Sequence, residues 1–306
     1  MYPVIRARNR EKILVQKQKE LLCKEVMEYL TFPKLSEIDC IEHLFTTRIG
    51  GVSKGDYATL NFSVIRGDES EAVLENYRRV GEIFGEAAGR FVATDQTHTT
   101  NIRVVTEADA GKGVIVPRDY TDIDGLLTKE KGLILSCFFA DCVPLYFVDS
   151  VREVIGLAHS GWRGTVAGMG ACMVKRMQEE FGCEPKDIQT AIGPSICQAC
   201  YEISEEVAEQ FQAGFWKEKC VKTFCKEACL AGLHPTGELL VAGKAVGKYQ
   251  LDLWLANYVV LRSAGILPEH ISMTDICTNC NPDYLFSHRA TGGKRGNLAA
   301  FLMLKK

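Results

Sequence analysis

Cys142, His159 and His98 are the residues of this chain whose types and placement can carry chemistry. Cys142 stands in Ala140-Asp141-Cys142-x-Pro144, a thiol beside a carboxylate, with a proline that interrupts strand pairing. His159 opens His159-Ser160-Gly161-Trp162-Arg163-Gly164, and His98 closes Asp95-Gln96-Thr97-His98. A thiol and an imidazole meeting at strand ends suit either a metal site or an activated nucleophile. With His98 added, two imidazoles and one thiolate make three ligands, which leaves zinc an open position for water or substrate. The distances along the chain match no local zinc signature. The same residues therefore also suit a cysteine hydrolase, with Cys142 as nucleophile, His159 as base and Asp141 or Gln96 orienting it. Asp95, Asp124, Asp141 and Glu202 are candidate acid–base groups or holders of the histidines.

Two further patterns bear on chemistry. Ser160-Gly161-Trp162-Arg163-Gly164 lies where a strand passes into a helix, and free amides with the positive end of a helix dipole suit an anion. Arg163 adds a two-pronged grip on a phosphate, and Arg48, before Gly50-Gly51, is a second phosphate candidate. The competing reading is that these glycines serve a tight turn and that Arg48 is an ordinary surface arginine. Cys197-x2-Cys200 and Cys277-x2-Cys280 together offer four thiols for a structural zinc, but pairs so far apart are weak as a signature and read more simply as bystander thiols.

The elements that must position these residues follow from hydrophobic pattern. Residues 133–148 and 153–158 are apolar runs joined by a polar turn, which suits two strands buried on both faces. Residues 69–85 repeat apolar side chains at helical spacing and close on Gly85, and residues 164–181 form a second helix with small residues on one face. Residues 203–231 and 249–264 read as helices, 91–107, 113–117, 187–193 and 271–277 as strands, and 284–302 as a hairpin around Gly292-Gly293. Residues 6–30 read as a basic amphipathic helix ended by Pro33. The expected organisation is a helical extension over residues 1–28 and one α/β domain over residues 29–306.

Composition narrows the class. A net charge of −3 over 306 residues gives no reason to expect nucleic acid or an anionic membrane as partner. No apolar run reaches the ~18 residues of a membrane helix, and the start of the chain lacks a signal-peptide core. Thirteen cysteines, an odd number in a long chain, argue for reduced thiols and a cytoplasmic setting. Six histidines in all, with no His-x-His pair, are too few for a multicopper cluster. A non-enzymatic interaction protein docking through residues 1–28 is the remaining alternative. Oligomeric state is left open.

The pieces taken together resemble one family: the laccase-domain, or multicopper polyphenol oxidase, proteins, now read as zinc-dependent purine nucleoside phosphorylases. The resemblance rests on His43-x-Phe45-x-Thr47-Arg48-x-Gly50-Gly51-Val52-Ser53, Leu60-Asn61, Gln96-x-His98, Asp124-Gly125-Leu126, Ala140-Asp141-Cys142-x-Pro144, Ala158-His159-x-Gly161-Trp162-Arg163-Gly164, Ile192-Gly193-Pro194, Cys200-Tyr201-Glu202 and Phe286-Ser287-x-Arg289, in that order from about residue 29 onward. It implies a single-domain α-β-β-α sandwich with mixed sheets and a metal, zinc or alternatively copper, on His98, Cys142 and His159. It implies phosphorolysis of adenosine, inosine, guanosine and methylthioadenosine, with deamination of adenosine. Substrate or phosphate contacts then fall to His43, Arg48, Asn61, Gln96 and Arg163, and supporting roles to Asp124, Asp141 and Glu202. Two departures stand out: Ser160 replaces the usual alanine, and Ser287-His288-Arg289 departs from the more frequent aromatic form, so His288 is given no role.

Overall fold

Two six-stranded sheets lie face to face with helices on both outer surfaces, and a third sheet of three strands stands at one side. The structure is a computed structural model describing residues 1–6, 13–212 and 218–306. In chain order the strands are β1 (Val15–Glu20), β2 (Val26–Thr31), β3 (Ile41–Thr46), β4 (Phe91–Ala93), β5 (Ile102–Val104), β6 (Gly125–Thr128), β7 (Ile134–Phe139), β8 (Val143–Asp149), β9 (Val154–Ser160), β10 (Ile188–Ile192), β11 (Glu202–Ser204), β12 (Leu240–Ala242), β13 (Lys248–Leu251), β14 (Ile271–Met273) and β15 (Leu298–Leu304). The first sheet runs β1-β2-β3-β15-β7-β4, the second β14-β10-β8-β9-β6-β5, and the small one β11-β13-β12. Both large sheets mix parallel and antiparallel pairs. This is the mixed α-β-β-α sandwich expected from the sequence.

The two-residue period of a strand explains the layers. Along β7, Leu135, Cys137 and Phe139 point between the sheets, while Ile134 and Phe138 pack on the outer side. Along β8, Tyr146 and Val148 face the same middle layer, while Val143, Leu145 and Phe147 face outward. Strands buried on both faces read as unbroken apolar runs, which is why β7, β8 and β9 stood out in the sequence. The helices Met169–Phe181 and Leu253–Ser263 cover the outer face of the second sheet, with Met169, Met173 and Met177 against Leu145 and Phe147. The helix Ser70–Phe84 covers the first sheet through Val73, Tyr77, Val80 and Phe84. It ends on Gly85 at φ 66°, a left-handed cap that suits glycine. Among the described residues, no helix is long and apolar enough to cross a membrane.

Several expectations are corrected. The run 133–148 is two strands rather than one, and β7 and β8 belong to different sheets. The helix expected over residues 6–30, and with it the helical extension over 1–28, is instead the hairpin of β1 and β2, which continues the first sheet to its edge; residues 7–12 lie outside the described residues. Lys, Gln and Glu alternate along β1 on an exposed edge strand, where charge discourages further pairing, and this imitated a solvated helix face. Gly168, at φ 79°, splits the helix expected over 164–181. Residues 203–231 contain β11 and the helices Glu205–Gln212 and Glu218–Leu230, with residues 213–217 outside the described set. The strand expected at 113–117 is reduced to one bridge, Lys112 to Val116. Residues 91–107 hold two short strands in different sheets, β4 and β5. The expected C-terminal hairpin is a short helix, His288–Thr291, followed by β15, which pairs with β3 and β7 rather than folding back on itself.

Candidate metal centre and cleft

Cys142 sits where the chain crosses from β7 of one sheet to β8 of the other. Asp141 makes that crossing at φ 89°, a backbone region L residues avoid. Its own carboxylate holds it there: Oδ1 accepts from the Thr278 hydroxyl at 2.6 Å and Oδ2 from the Arg289 amide at 2.7 Å. On the neighbouring strand, His159 pairs with Pro144, so the end of β9 reaches Cys142. Gly161 follows directly. A Cβ there would lie 3.0 Å from His98 Cδ2 and 3.1 Å from Cys142 Sγ, so glycine is what lets the three side chains close up.

Asp124 organises the histidines. This carboxylate is fully buried at the start of β6. Its Oδ2 accepts from the amides of Thr97 at 3.0 Å and Thr99 at 2.9 Å and from the Thr99 hydroxyl at 3.0 Å. Its Oδ1 accepts from the His98 amide at 3.2 Å and from His159 Nδ1 at 2.8 Å. One group thus fixes the loop that carries His98, itself at φ 69°, and the ring of His159. Because a carboxylate only accepts, Nδ1 of His159 donates and Nε2 is left free to face Cys142. The ligating atoms of His98, Cys142 and His159 lie within 4.8 Å of one another, with His98 Nε2 4.0 Å from Cys142 Sγ. Tetrahedral zinc bonds of about 2.0–2.3 Å bring neighbouring ligand atoms to roughly 3.5 Å, so small side-chain movements suffice to hold an ion. Two free imidazole nitrogens and a thiolate also fit zinc or copper chemically.

Electrostatics agree with a ligand set. Burial opposes ionisation of the Cys142 thiol, but His159 and His98 outweigh it and bring it down to about 6. Burial likewise works against protonated His159, yet Cys142 and Asp124 raise it to about 9. Asp124 is held below its ordinary value despite burial, by His159 and by the Thr99 and Thr97 amides.

The three ligands open onto a cleft of about 650 Å³. Its walls carry Arg66, Arg118, Lys294 and Arg295 alongside Tyr57 and Phe138. Arg118 is paired with Asp95 at 2.9 Å. Arg295 is only 7% exposed; its Nη1 donates to Gly296 O and to Asn297 Oδ1, while its Nε has no hydrogen-bond partner among the described residues. Burial and the nearby Arg66 bring its pKa down to about 10.

The family model described as multi-copper polyphenol oxidoreductase laccase matches residues 42–305. The chain belongs to that laccase family. It is 35% identical to the purine nucleoside phosphorylase YlmD of Bacillus subtilis, over 86% of this chain and 88% of that one. It is 33% identical to a purine nucleoside phosphorylase of Bacteroides thetaiotaomicron, over 90% and 96%. It is 29% identical to the adenosine deaminase RL5 of an unknown prokaryotic organism, over 88% and 95%. The crystal structure of YlmD from Geobacillus stearothermophilus superposes with a TM-score of 0.80 at 33% identity, over 97% of this chain and 100% of that one.

The other residues singled out in this laccase-family sequence are not part of the converging ligand group. His43 is a core histidine: its Nε2 accepts the Phe32 amide at 2.9 Å, its ring packs near Phe32 and Tyr146, and burial pushes it down to about 3. Arg48 donates Nε to Ala58 O at 2.9 Å and Nη1 to Pro282 O at 2.6 Å, with its guanidinium over Phe286. Neither lines the cleft. Both serve the scaffold in this geometry. Asn61 is fully buried; its Oδ1 accepts the Asn297 amide at 2.7 Å and so joins two segments of the cleft wall. Gln96 lines the cleft, but its amide group is spent on Phe138 and Thr94. Arg163 lies over the Trp162 ring, within a helix of only five residues, Trp162–Val166. Glu202 accepts the Lys244 amide at 2.7 Å within the small sheet. Sequence reasoning passed over Arg66, Lys294 and Arg295. The cue for the last two is the run Gly292-Gly293-Lys294-Arg295-Gly296, a basic pair between glycines that by pattern alone reads as a turn.

Proposed function

We propose that this chain is a metal-dependent purine nucleoside phosphorylase acting on adenosine, inosine, guanosine and methylthioadenosine, with adenosine deaminase activity. The observation that carries the reading is the joining of His98, Cys142 and His159 on the floor of a cleft whose wall holds a buried, incompletely paired arginine. The names of the relatives in Bacillus and Bacteroides, and of the deaminase RL5, support the same chemistry. The thiols, none of them in a disulfide among the described residues, fit a cytoplasmic setting.

His98, Cys142 and His159 hold the metal, zinc in this reading, which supplies Lewis acidity at the cleft floor. Arg66 and Arg295, both on the cleft wall, bind phosphate through charge-assisted hydrogen bonds. A phosphate oxygen then attacks C1′ of the ribose as the bond to the purine nitrogen breaks, and the electron pair leaves with the base. Arg66 and Arg295 keep the phosphate near C1′, so the attack becomes effectively intramolecular. Tyr57 and Phe138 offer ring faces to the purine, and Asp56, on the same wall, accepts from ribose hydroxyls. Among the described residues, His98 and His159 are the only histidines lining the cleft, which leaves no room for a multicopper cluster and makes polyphenol oxidation the weaker reading.

One observation favours a second reading. A thiol lowered to about 6, an imidazole and a buried carboxylate in line resemble the working parts of a cysteine hydrolase. The test is to chromatograph adenosine and inosine after incubation with purified protein, with and without phosphate, before and after metal stripping. Phosphate-dependent, metal-dependent hypoxanthine from inosine supports the proposal. Undiminished cleavage by the stripped protein sinks it, and a trapped covalent adduct on Cys142 favours the hydrolase.

A further inference from the structure

The two CxxC pairs, taken from sequence for bystander thiols, come together. Strands β10 and β14 are parallel neighbours in the second sheet, and the pairing continues past their ends through a bridge from Ser195 to Cys277. Each strand then runs into a loop with two cysteines at the same spacing. The sulfurs of Cys197, Cys200, Cys277 and Cys280 all lie within 4.8 Å of one another. Cys197 and Cys277 are buried, while Cys200 and Cys280 are half-buried with sulfurs 3.5 Å apart. We propose that these four cysteines bind a structural zinc ion, separate from the cleft, that staples the end of β10 to the end of β14.

The sulfur spacing supports zinc over the alternatives. Zinc–sulfur bonds of about 2.3 Å set the sulfurs of a tetrahedral site roughly 3.8 Å apart, close to what is seen. A disulfide uses two sulfurs about 2.05 Å apart and gives no reason for the other two to converge. An iron–sulfur cluster interposes inorganic sulfide between its thiolates and spreads them further. Backbone amides also supply the support that thiolate ligands need. The Cys197 amide donates to Cys277 Sγ at 3.3 Å, and the Cys200 amide donates to the Cys197 carbonyl at 3.0 Å, closing a tight turn between the two cysteines of that loop. One loop thus turns an amide onto a sulfur of the other, a contact that ties the two loops together at the cluster.

The staple reaches the cleft through Asp141. The Ile196 amide, beside Cys197, donates to Asp141 O at 3.0 Å, and the Thr278 hydroxyl, beside Cys277, donates to Asp141 Oδ1 at 2.6 Å. Both clamped loops therefore brace the backbone turn that presents Cys142.

The test is a metal count by plasma mass spectrometry on full-length protein purified reduced and loaded with excess zinc, then dialysed. Two zinc ions per chain are expected in the parent. His98→Ala/His159→Ala should retain one, and Cys200→Ser/Cys280→Ser should also retain one. Cobalt in place of zinc provides a second readout: His98→Ala/His159→Ala should keep intense sulfur-to-cobalt charge-transfer absorption, which scales with the number of thiolates. Because the cobalt spectrum and zinc count are read without substrate, failure of the phosphorylase reading leaves them intact. A parent chain holding one zinc that vanishes in His98→Ala/His159→Ala overturns the proposal. So does an intact mass two hydrogens low in protein kept from air, which indicates a disulfide in place of the metal.

Discussion

Asp124→Asn is the substitution that most directly probes how the centre is built. Five donors converge on the two oxygens of Asp124: three amides, the Thr99 hydroxyl and His159 Nδ1. An asparagine has one oxygen. Placed on the Oδ2 side, that oxygen keeps the Thr97 and Thr99 contacts and turns an NH2 group toward His98 N–H and His159 Nδ1. The NH2 donates to Nδ1 and forces the proton onto Nε2, the nitrogen that must be bare to bind an ion. Flipped the other way, the amide keeps His159 but sets donors against three donors. A hydrogen bond to a charged group contributes about 1.5–3 kcal/mol, so loss of one or two costs about 3 kcal/mol net. For a chain of this size that is a fall in Tm of about 5 °C, measured on metal-free protein. Loss of a group that orients a ligating histidine weakens metal binding about 10–100-fold. The assay is competition for zinc against a chromophoric chelator, with thermal melts run in parallel. Metal affinity within about twofold of the parent and an unchanged Tm would refute the argument that Asp124 sets the tautomer.

Four other outcomes are expected. Arg295→Ala should raise the KM for phosphate about 10–100-fold with a smaller change in the KM for inosine, measured by steady-state kinetics at varied phosphate, since it removes one or more charge-assisted bonds. In metal-stripped protein, iodoacetamide should modify Cys142 with a half-maximal rate near pH 6, set by His159 and His98 against burial, and zinc should protect it; a midpoint above pH 8 counts against the pairing. Phe301, in contact with the rings of Phe62, Tyr77, Phe84 and Phe91 and fully buried, should cost about 3–5 kcal/mol as Phe301→Ala in urea unfolding. Burial works against Asp109 ionisation, but Lys112, the Thr106 amide and Arg103 hold it down to about 2, below its ordinary value. Its contribution is therefore present above about pH 4 and lost as pH falls toward 2. Asp109→Asn should lower stability by about 1 kcal/mol at pH 7, allowing for solvent screening, and melt like the parent near pH 2.

The interior of the sandwich was legible because β8 and β9 are buried on both faces and so carry unbroken apolar runs. His98, Cys142 and His159 were legible as types, through the motifs around them, but their convergence depends on a crossing between sheets at Asp141 that no periodicity records. The four-cysteine cluster was hidden for a similar reason: parallel pairing of β10 with β14 joins segments far apart in the chain. Arg48 misled because a free arginine and one bound to two carbonyls look alike in sequence. Arg295 was missed because only burial distinguishes it from a solvent-facing basic residue beside a glycine turn. The hairpin of β1 and β2 was mistaken for a helix because edge strands carry charge for protection, and charge interleaved with scattered apolar residues has no clean period.

β15 is the last strand in sequence order but a central strand in space, hydrogen-bonded to β3 on one side and β7 on the other. During synthesis, β3 and β7 must therefore wait with bare, apolar edges until residues 298–304 leave the ribosome. Losing residues 298–304 would not trim a loose end. It would withdraw the plank joining two halves of the first sheet and leave two unsatisfied edges ready to pair with other chains.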